Sequence, residues 1–542
     1  MPARMLMGRA RDSLAATVLS VVAAVLLASP HPTFAGGPAF LAPDADNSAA
    51  FARDPNAVQP DGSTALQWAV YEGNLPEVQR LLRAGADVHA RNNYGASALS
   101  LAAEAGDPAM LRTLLKAGAN ANAASSEGQT ALMVVARTGN VEAAAVLLQA
   151  RADVNARENW GGQTALMWAA AAQQPAMLSL LLKHGAKPDL LSTTRDWPRK
   201  VTAEPREKSM DRGGFAALHY AAREGCVACI AALVKGGADI DIADAQGTTP
   251  LIMALMNLNF DAAKSLIDRG ADINAWDFVG QTPLYAAVDM HTVPTGARAD
   301  VASTDQTTAM DIIQMLIARG ANVNAQLKLR LPGRSMPGDR NGDFRVLTTG
   351  ATPLMRAAVG CDLAAMEVLI KAGALIDLPI ADGTTPLFAT VITAAPRARN
   401  KTEEQALAAM RLLKASGADP RKAVGQSSRV LHIIHLHTPD HARVPGSTAL
   451  MMAAVRDWKQ VAQQLVEWGV DIDAADADGM TALDYAMGRE RYGFLQPKPT
   501  PNLEMAAWLR KLGAKVESSN PPVWPPLNVP QIRAIVPELL YF

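Results

Sequence analysis

Aromatic side chains are scarce in this 542-residue chain, where Phe, Trp and Tyr together make up 5%. Sheets draw on aromatic and β-branched residues, so the shortage argues against a large β domain. Ala and Leu supply much of the 49% hydrophobic content instead. That bias suits close-packed helices. Cysteine is nearly absent, with three residues, which excludes a disulfide-built secreted scaffold. Charge of one sign is lacking too: 51 basic and 52 acidic residues leave a formal −1. A general nucleic-acid binder needs a basic face for phosphates, so no nucleic-acid partner is expected. Walker loops, nucleophile elbows, H-E-x-x-H pairs and dinucleotide fingerprints are all missing. The chain is read as a non-enzyme with no cofactor.

Long apolar runs are missing except at the start. Arg4, Arg9 and Arg11 precede an uncharged, mostly apolar stretch from Leu14 to Ala28. Thr33-Phe34-Ala35 then offers a small-x-small cleavage site before Gly36. The run is short for a span of about 20 residues. Residues 1–35 therefore read as a signal peptide. The expectation is an exported protein, periplasmic if bacterial and otherwise secreted. No integral membrane span should remain after cleavage.

What the chain does have is a repeat. Gly, any residue, Thr or a small substitute, Ala or Pro, then Leu begins at Gly62, Gly95, Gly128, Gly162, Gly214, Gly247, Gly280, Gly350, Gly383, Gly446 and Gly479. Six of the ten gaps are 33 residues and one is 34. A second pattern follows, two aliphatics and then Gly-Ala-Asp, as at Gly85-Ala86-Asp87 and Gly270-Ala271-Asp272. Thr282 can cap a helix, and Pro283 suits its first position. Small alanines let neighbouring helices approach. Gly73-Asn74 makes a turn, and Val146-Leu147-Leu148 belongs to a second helix. The closing Gly accepts a left-handed conformation. One such helix pair cannot bury its apolar face alone, so the units must stack.

A 33-residue period with Thr-Pro-Leu and Gly-Ala-Asp resembles the ankyrin repeat. The resemblance covers residues 58–515, after a linker at 36–57. It implies an all-α solenoid of helix-turn-helix units with extended finger loops. It also implies protein recognition through finger tips and the concave helix face, by a monomer with an unidentified protein partner. His after Thr-Pro-Leu is part of the family pattern, and only His219 supplies it here. Gln67, Ser100, Met133 and Asp484 are among the substitutes, so packing is expected to replace the polar network. The second helix of the last repeat, Asn502 to Leu512, reads as a closing cap.

Insertions individualise the array. Those at 188–212, 326–349 and 421–445 fall in fingers; those at 291–307 and 393–402 separate the two helices of a repeat. Long loops of this kind are often functional. The first carries Trp197 and Arg199, and the second Arg330, Arg334 and Arg345. A basic edge of this kind would attract an acidic partner. Trp160 and Trp276 sit in finger turns near Glu and Asp. These seven residues are the expected partner-binding set.

Four other features bear on chemistry. His432, His435, His437 and His441 crowd the third insertion. Imidazoles bind transition metals, so an alternative role is accessory to a metal or haem enzyme. Neither strand nor helix spacing puts three of them on one face, and incidental histidines on a finger strand are the preferred reading. Cys226 and Cys229 form a C-x-x-C at the start of a second helix, suited to a local disulfide. Redox use is the weaker reading, and Ile230 stands where haem attachment needs His. Cys229 is expected on an outer face, and Cys361 at the same repeat position as Cys226, out of its reach. Asp339, Asn341 and Asp343 alternate like a calcium loop, but Gly350 stands where its Glu belongs. Residues 516–542 form a Pro-rich tail expected to fold back over the last repeats.

Overall fold

The computed structural model describes residues 54–196, 211–292, 305–329, 349–392, 401–425, 445–489 and 500–515. The signal segment, the linker up to residue 53 and the tail lie outside them. The chain divides into two compact units, one up to Asn120 and one from Ala121. The first holds two helix pairs, Ala65–Tyr71 with Leu75–Arg83 and Ala98–Ala105 with Pro108–Lys116. The second holds nine pairs among its described residues, from Ala131–Thr138 to Leu503–Lys511. Each of the eleven repeat starts is therefore followed by a helix pair.

The same local rules build every pair. Thr64, Thr130, Thr249 and Thr352 each cap a first helix by accepting the N–H three residues on. The first helices bury alanines, and Ala136, Ala170, Ala222 and Ala358 are fully covered. Asn74, Asn140, Asp362 and Asn502 cap second helices in the same way. Leu147, Leu181, Leu233 and Leu266 stand at one register of the second helices and are fully covered. Gly85, Gly237 and Gly270 then adopt φ of 88° to 93°, which side chains resist. Within the second unit, first helices pack on first helices and second on second, giving two layers. Among the described residues the one sheet pairs Arg195–Asp196 with Asp211–Arg212, antiparallel, at the root of the first insertion.

Side-chain oxygens tie successive fingers together. Asn122 accepts the N–H of Asp153 at 2.6 Å, and Asn155 that of Lys187 at 2.8 Å. Asp189 serves Asp239, Asp241 serves Asp272, and Asn274 serves Asn322, at 3.0, 2.8 and 2.8 Å. Asn324, Asp377 and Asp473 continue the ladder to Leu375, Asp419 and Lys515. The acceptor stands two residues after the aspartate, or its equivalent, of the Gly-Ala-Asp pattern.

The polar link expected to vanish with the missing histidines survives in part. His219 Nδ1 accepts the Ala216 N–H at 3.1 Å, and its Nε2 meets the Thr248 carbonyl at 2.9 Å. Gln67 does the same work: its Oε1 accepts the Thr64 N–H, and its Nε2 donates to Ala90 and Ala96. Ser100 and Asp484 reproduce the local half of the link.

Burial holds the His219 imidazole below its ordinary pKa, against the bond to Thr248 that favours the charged form. A base with a depressed folded pKa contributes stability above its unfolded value of about 6.5, lost as pH falls below it. His219→Gln should keep both bonds and lose that acid sensitivity. Thermal melts at pH 7 and pH 5 check this: the wild-type drop should exceed the variant's, with equal stability at pH 7 to within about 1 kcal/mol.

Candidate partner-binding surface

Two finger turns of the second unit are organised by a buried carboxylate. Glu158 Oε1 accepts the N–H groups of Gly161 and Gln163 at 2.7 and 2.9 Å, and Oε2 that of Trp160 at 2.5 Å. Asp277 Oδ1 accepts from Val279 at 3.1 Å and Gln281 at 2.8 Å. Asn92 makes the equivalent pair of bonds in the first unit. Trp160 stands inside the turn that Glu158 bonds, and Trp276 directly before Asp277. Trp160 is 47% exposed and Trp276 is 52% exposed. Lys328 Nζ stands 3.0 Å from the centre of the Trp276 ring, a cation–π contact.

The finger insertions rise from ordinary hairpin roots. An uninterrupted finger has Asp277 donating to the Gln281 carbonyl and Gly280 to that of Asp277. Leu327 with Ala351 and Gly350, and Val424 with Ser447 and Gly446, repeat that scheme across the second and third insertions. Ser192 donates to the Phe215 carbonyl at the first. Each exposed tryptophan lies in the finger directly before an insertion-bearing one. Thr193 donates to Gly161 beside Trp160, and Lys328 donates to Val279 beside Trp276.

Trp197, Arg199, Arg330, Arg334 and Arg345 lie outside the described residues, as do His432, His435, His437, His441 and the Asp339–Asp343 segment. Among the described residues, no three His, Cys, Asp or Glu side chains group so as to hold a metal ion.

Cys226 and Cys229 form the local disulfide, with Cα atoms 5.2 Å apart. The expected outer-face position of Cys229 is corrected: it is fully buried. The register is a core one: Met110, Ala143, Met177 and Cys229 are covered there, and the charged Glu77 alone of these reaches out, to Arg80 at 2.7 Å. The placement of Cys361 is corrected as well. It ends a first helix at φ 50°, where repeat five has Gly225, and Asp362 is the counterpart of Cys226.

One cluster was invisible along the chain. Arg356 Nε meets Asp289 Oδ1 at 2.5 Å, and both side chains are nearly sealed from solvent. His291 Nδ1 meets Asp362 Oδ2 at 2.5 Å, and Thr292 donates to the same oxygen at 2.9 Å. The bond to Asp362 raises the His291 pKa. Burial pushes the Asp362 carboxyl up, but His291 outweighs it and the net direction is down. The helix Pro283–Thr292 runs two residues into the expected 291–307 insertion, and the cluster holds its end. Its members are some seventy residues apart in sequence, so no local pattern reveals them.

These features define a helical repeat protein whose fingers expose aromatic side chains. A family model for three-copy ankyrin repeats matches residues 47–125, 101–192, 202–277 and 218–327. A single-copy ankyrin model matches 445–477. These segments cover more than half of the chain, which belongs to the ankyrin-repeat family. The structure carries the same helix pairs through 353–415, between the matched segments. The B-cell lymphoma 3 protein homolog of Mus musculus is 31% identical over 270 residues, 49% of this chain and 46% of that protein. NF-kappa-B inhibitor delta of Mus musculus is 33% identical over 100 residues, 18% of this chain and 25% of that protein. The chain thus spans less than half the length of the curated relatives it matches. The crystal structure of the Bcl-3 ankyrin repeat domain, described as a unique member of the IkappaB protein family, is 26% identical. It covers 42% of this chain and 94% of that one, with a TM-score of 0.36. Among the described residues no helix is long and apolar enough to cross a membrane.

Two substitutions test the site's framework. Burial raises the Asp277 carboxyl to about 6, against the N–H groups that favour its charge. A carboxyl raised on folding stabilises below its unfolded value and loses that stability as pH rises through 6, up to about 3 kcal/mol. Asp277→Asn keeps the acceptor, as Asn92 does, and should raise the melting temperature at pH 7 while flattening its slope between pH 4 and 7. Arg356→Met leaves Asp289 buried and unpaired, an expected loss of about 3–5 kcal/mol in denaturant unfolding. Adding Asp289→Leu should recover most of it.

Proposed function

We propose that this chain is a non-catalytic, exported protein-interaction scaffold that binds its partner along the finger edge. Ankyrin repeats are protein-interaction units, and the observation that carries the reading is the pairing of exposed tryptophans with insertion roots. Rigid, half-exposed aromatics lose little entropy on binding and are favoured as binding anchors. Glu158 accepts the Trp160 N–H, Asp277 fixes the turn directly after Trp276, and each tryptophan adjoins a finger whose insertion is rich in Arg and Lys. A partner with an apolar patch rimmed by acidic groups fits that arrangement. Export rests on the amino-terminal segment alone and places the scaffold in the cell envelope or outside the cell.

Crosslinking of residues 36–542 in an envelope extract, read by mass spectrometry, tests the surface. The Trp160→Ala, Trp276→Ala double variant should melt like the parent, since neither ring is core. It should lose the partner the parent captures, by about 2 kcal/mol or more in affinity. Equal capture by both chains would sink the finger reading. Fusion of residues 1–35 to a reporter active only after export tests location, and an inactive reporter removes it.

A further inference from the structure

The C-x-x-C of repeat five puts sulfur in a place where other second helices cap with oxygen. Asn74, Asp107, Asn140, Asp362 and Asn502 cap their second helices with side-chain oxygens. In repeat five the Sγ of Cys226 accepts the N–H of Cys229 at 3.2 Å, at the start of the nine-residue helix Val227–Lys235. Sulfur is a weak acceptor, so capping alone does not favour it. A helix N-terminus does favour a thiolate, through its free N–H groups and the macrodipole. The two sulfurs are unequally placed: Cys226 is at the surface margin, 9% exposed, and Cys229 is fully buried. Val227, between them, is 39% exposed. It forms one wall of a surface groove of about 470 Å³ whose other walls include Asp261, Lys264 and Ser265.

We propose that Cys226–Cys229 is an exchangeable disulfide that takes two electrons from a dithiol on a partner polypeptide. A partner thiolate attacks Cys226 Sγ, the Cys226–Cys229 bond breaks, and its electron pair leaves on Cys229, which takes a proton from water. The partner's second thiolate then attacks the partner sulfur of the mixed disulfide. The partner leaves with a disulfide, and Cys226 is released as a thiolate stabilised by the helix N-terminus. Two thiols of the partner are oxidised and one disulfide of this chain is reduced, which balances the exchange.

Cys361 is the internal control. It is as little exposed as Cys226, 8% against 9%, but it ends a helix with its Sγ on the Thr390 carbonyl, where a thiolate is disfavoured. The full chain, equilibrated natively in reduced and oxidised glutathione and alkylated with iodoacetamide, tests the proposal by mass spectrometry of each cysteine. The pair should reduce reversibly, and Cys226 should alkylate at pH 6 about tenfold or more faster than Cys361, since a one-unit lower pKa gives ten times the thiolate. Cys229→Ser should accumulate a glutathione adduct on Cys226. Cys226→Ser keeps a capping oxygen and folds, and should carry no adduct on Cys229. A disulfide that yields to glutathione only in denaturant, or equal alkylation of Cys226 and Cys361, would overturn it. An adduct on Cys229 in the Cys226→Ser chain would overturn it too.

Discussion

The finger ladder is the interaction on which the second unit depends. A repeat of 33 residues gains its core by covering its neighbour, and apolar contact alone does not fix the offset between them. The bonds from Asn122, Asn155, Asp189, Asp241, Asn274, Asn324 and Asp377 to the next finger do. Each is directional, and each joins a side chain whose own turn is already closed. At the Asp241 rung aspartate carries a penalty that asparagine avoids. Burial raises the Asp241 carboxyl, and Asp272 and Asp239 beside it push the same way.

With the offset fixed, long insertions become inexpensive. Leu327 and Val424 close their hairpins with the same bonds as Asp277, although some twenty extra residues intervene. Loop-closure entropy grows slowly, about 0.6 kcal/mol for each doubling of length, so the ladder need not weaken to carry them. Between the helices of a repeat no ladder is available. There the chain uses ions: Asp362 holds both His291 and Thr292 where Pro283–Thr292 ends, while capping its own helix. Lys401 performs the matching task after the 393–400 segment, donating to the carbonyls of Val359, Ala389 and Ile392.

Rules that act over four residues were legible in the chain. Thr64 and Thr130 as caps, Pro283 at a helix start and Gly270 past a helix end each follow from one residue's chemistry, and the 33-residue period multiplies them. The two exposed tryptophans were legible because each stands in a finger turn near an acidic residue. Features that join repeats were harder to read. Gln67 differs from His in name but offers the same acceptor and donor at the same reach, so the lost histidine motif overstated the lost network. Asp289 and Arg356 meet only because repeats seven and eight stack. Cys229 was misread because its register also holds Glu77, and polarity rather than length decides which side chain escapes the core there: Met110 and Met177 at the same register are covered.

The two chemistries of the surface follow from that division. A scaffold gains from side chains carried on an ordered backbone, and the finger turns supply it: Glu158 fixes the turn that carries Trp160 and Asp277 the turn that follows Trp276, so little backbone entropy is left to lose at binding. Lys328 over Trp276 adds a charge without adding freedom. A sulfur pair has the opposite requirement, since exchange needs one atom that a partner reaches and one that it does not. Repeat five meets it because a cap lies at the surface margin while the residue three further on turns under the first helix. The repeat that orders the fingers thus also separates Cys226 from Cys229.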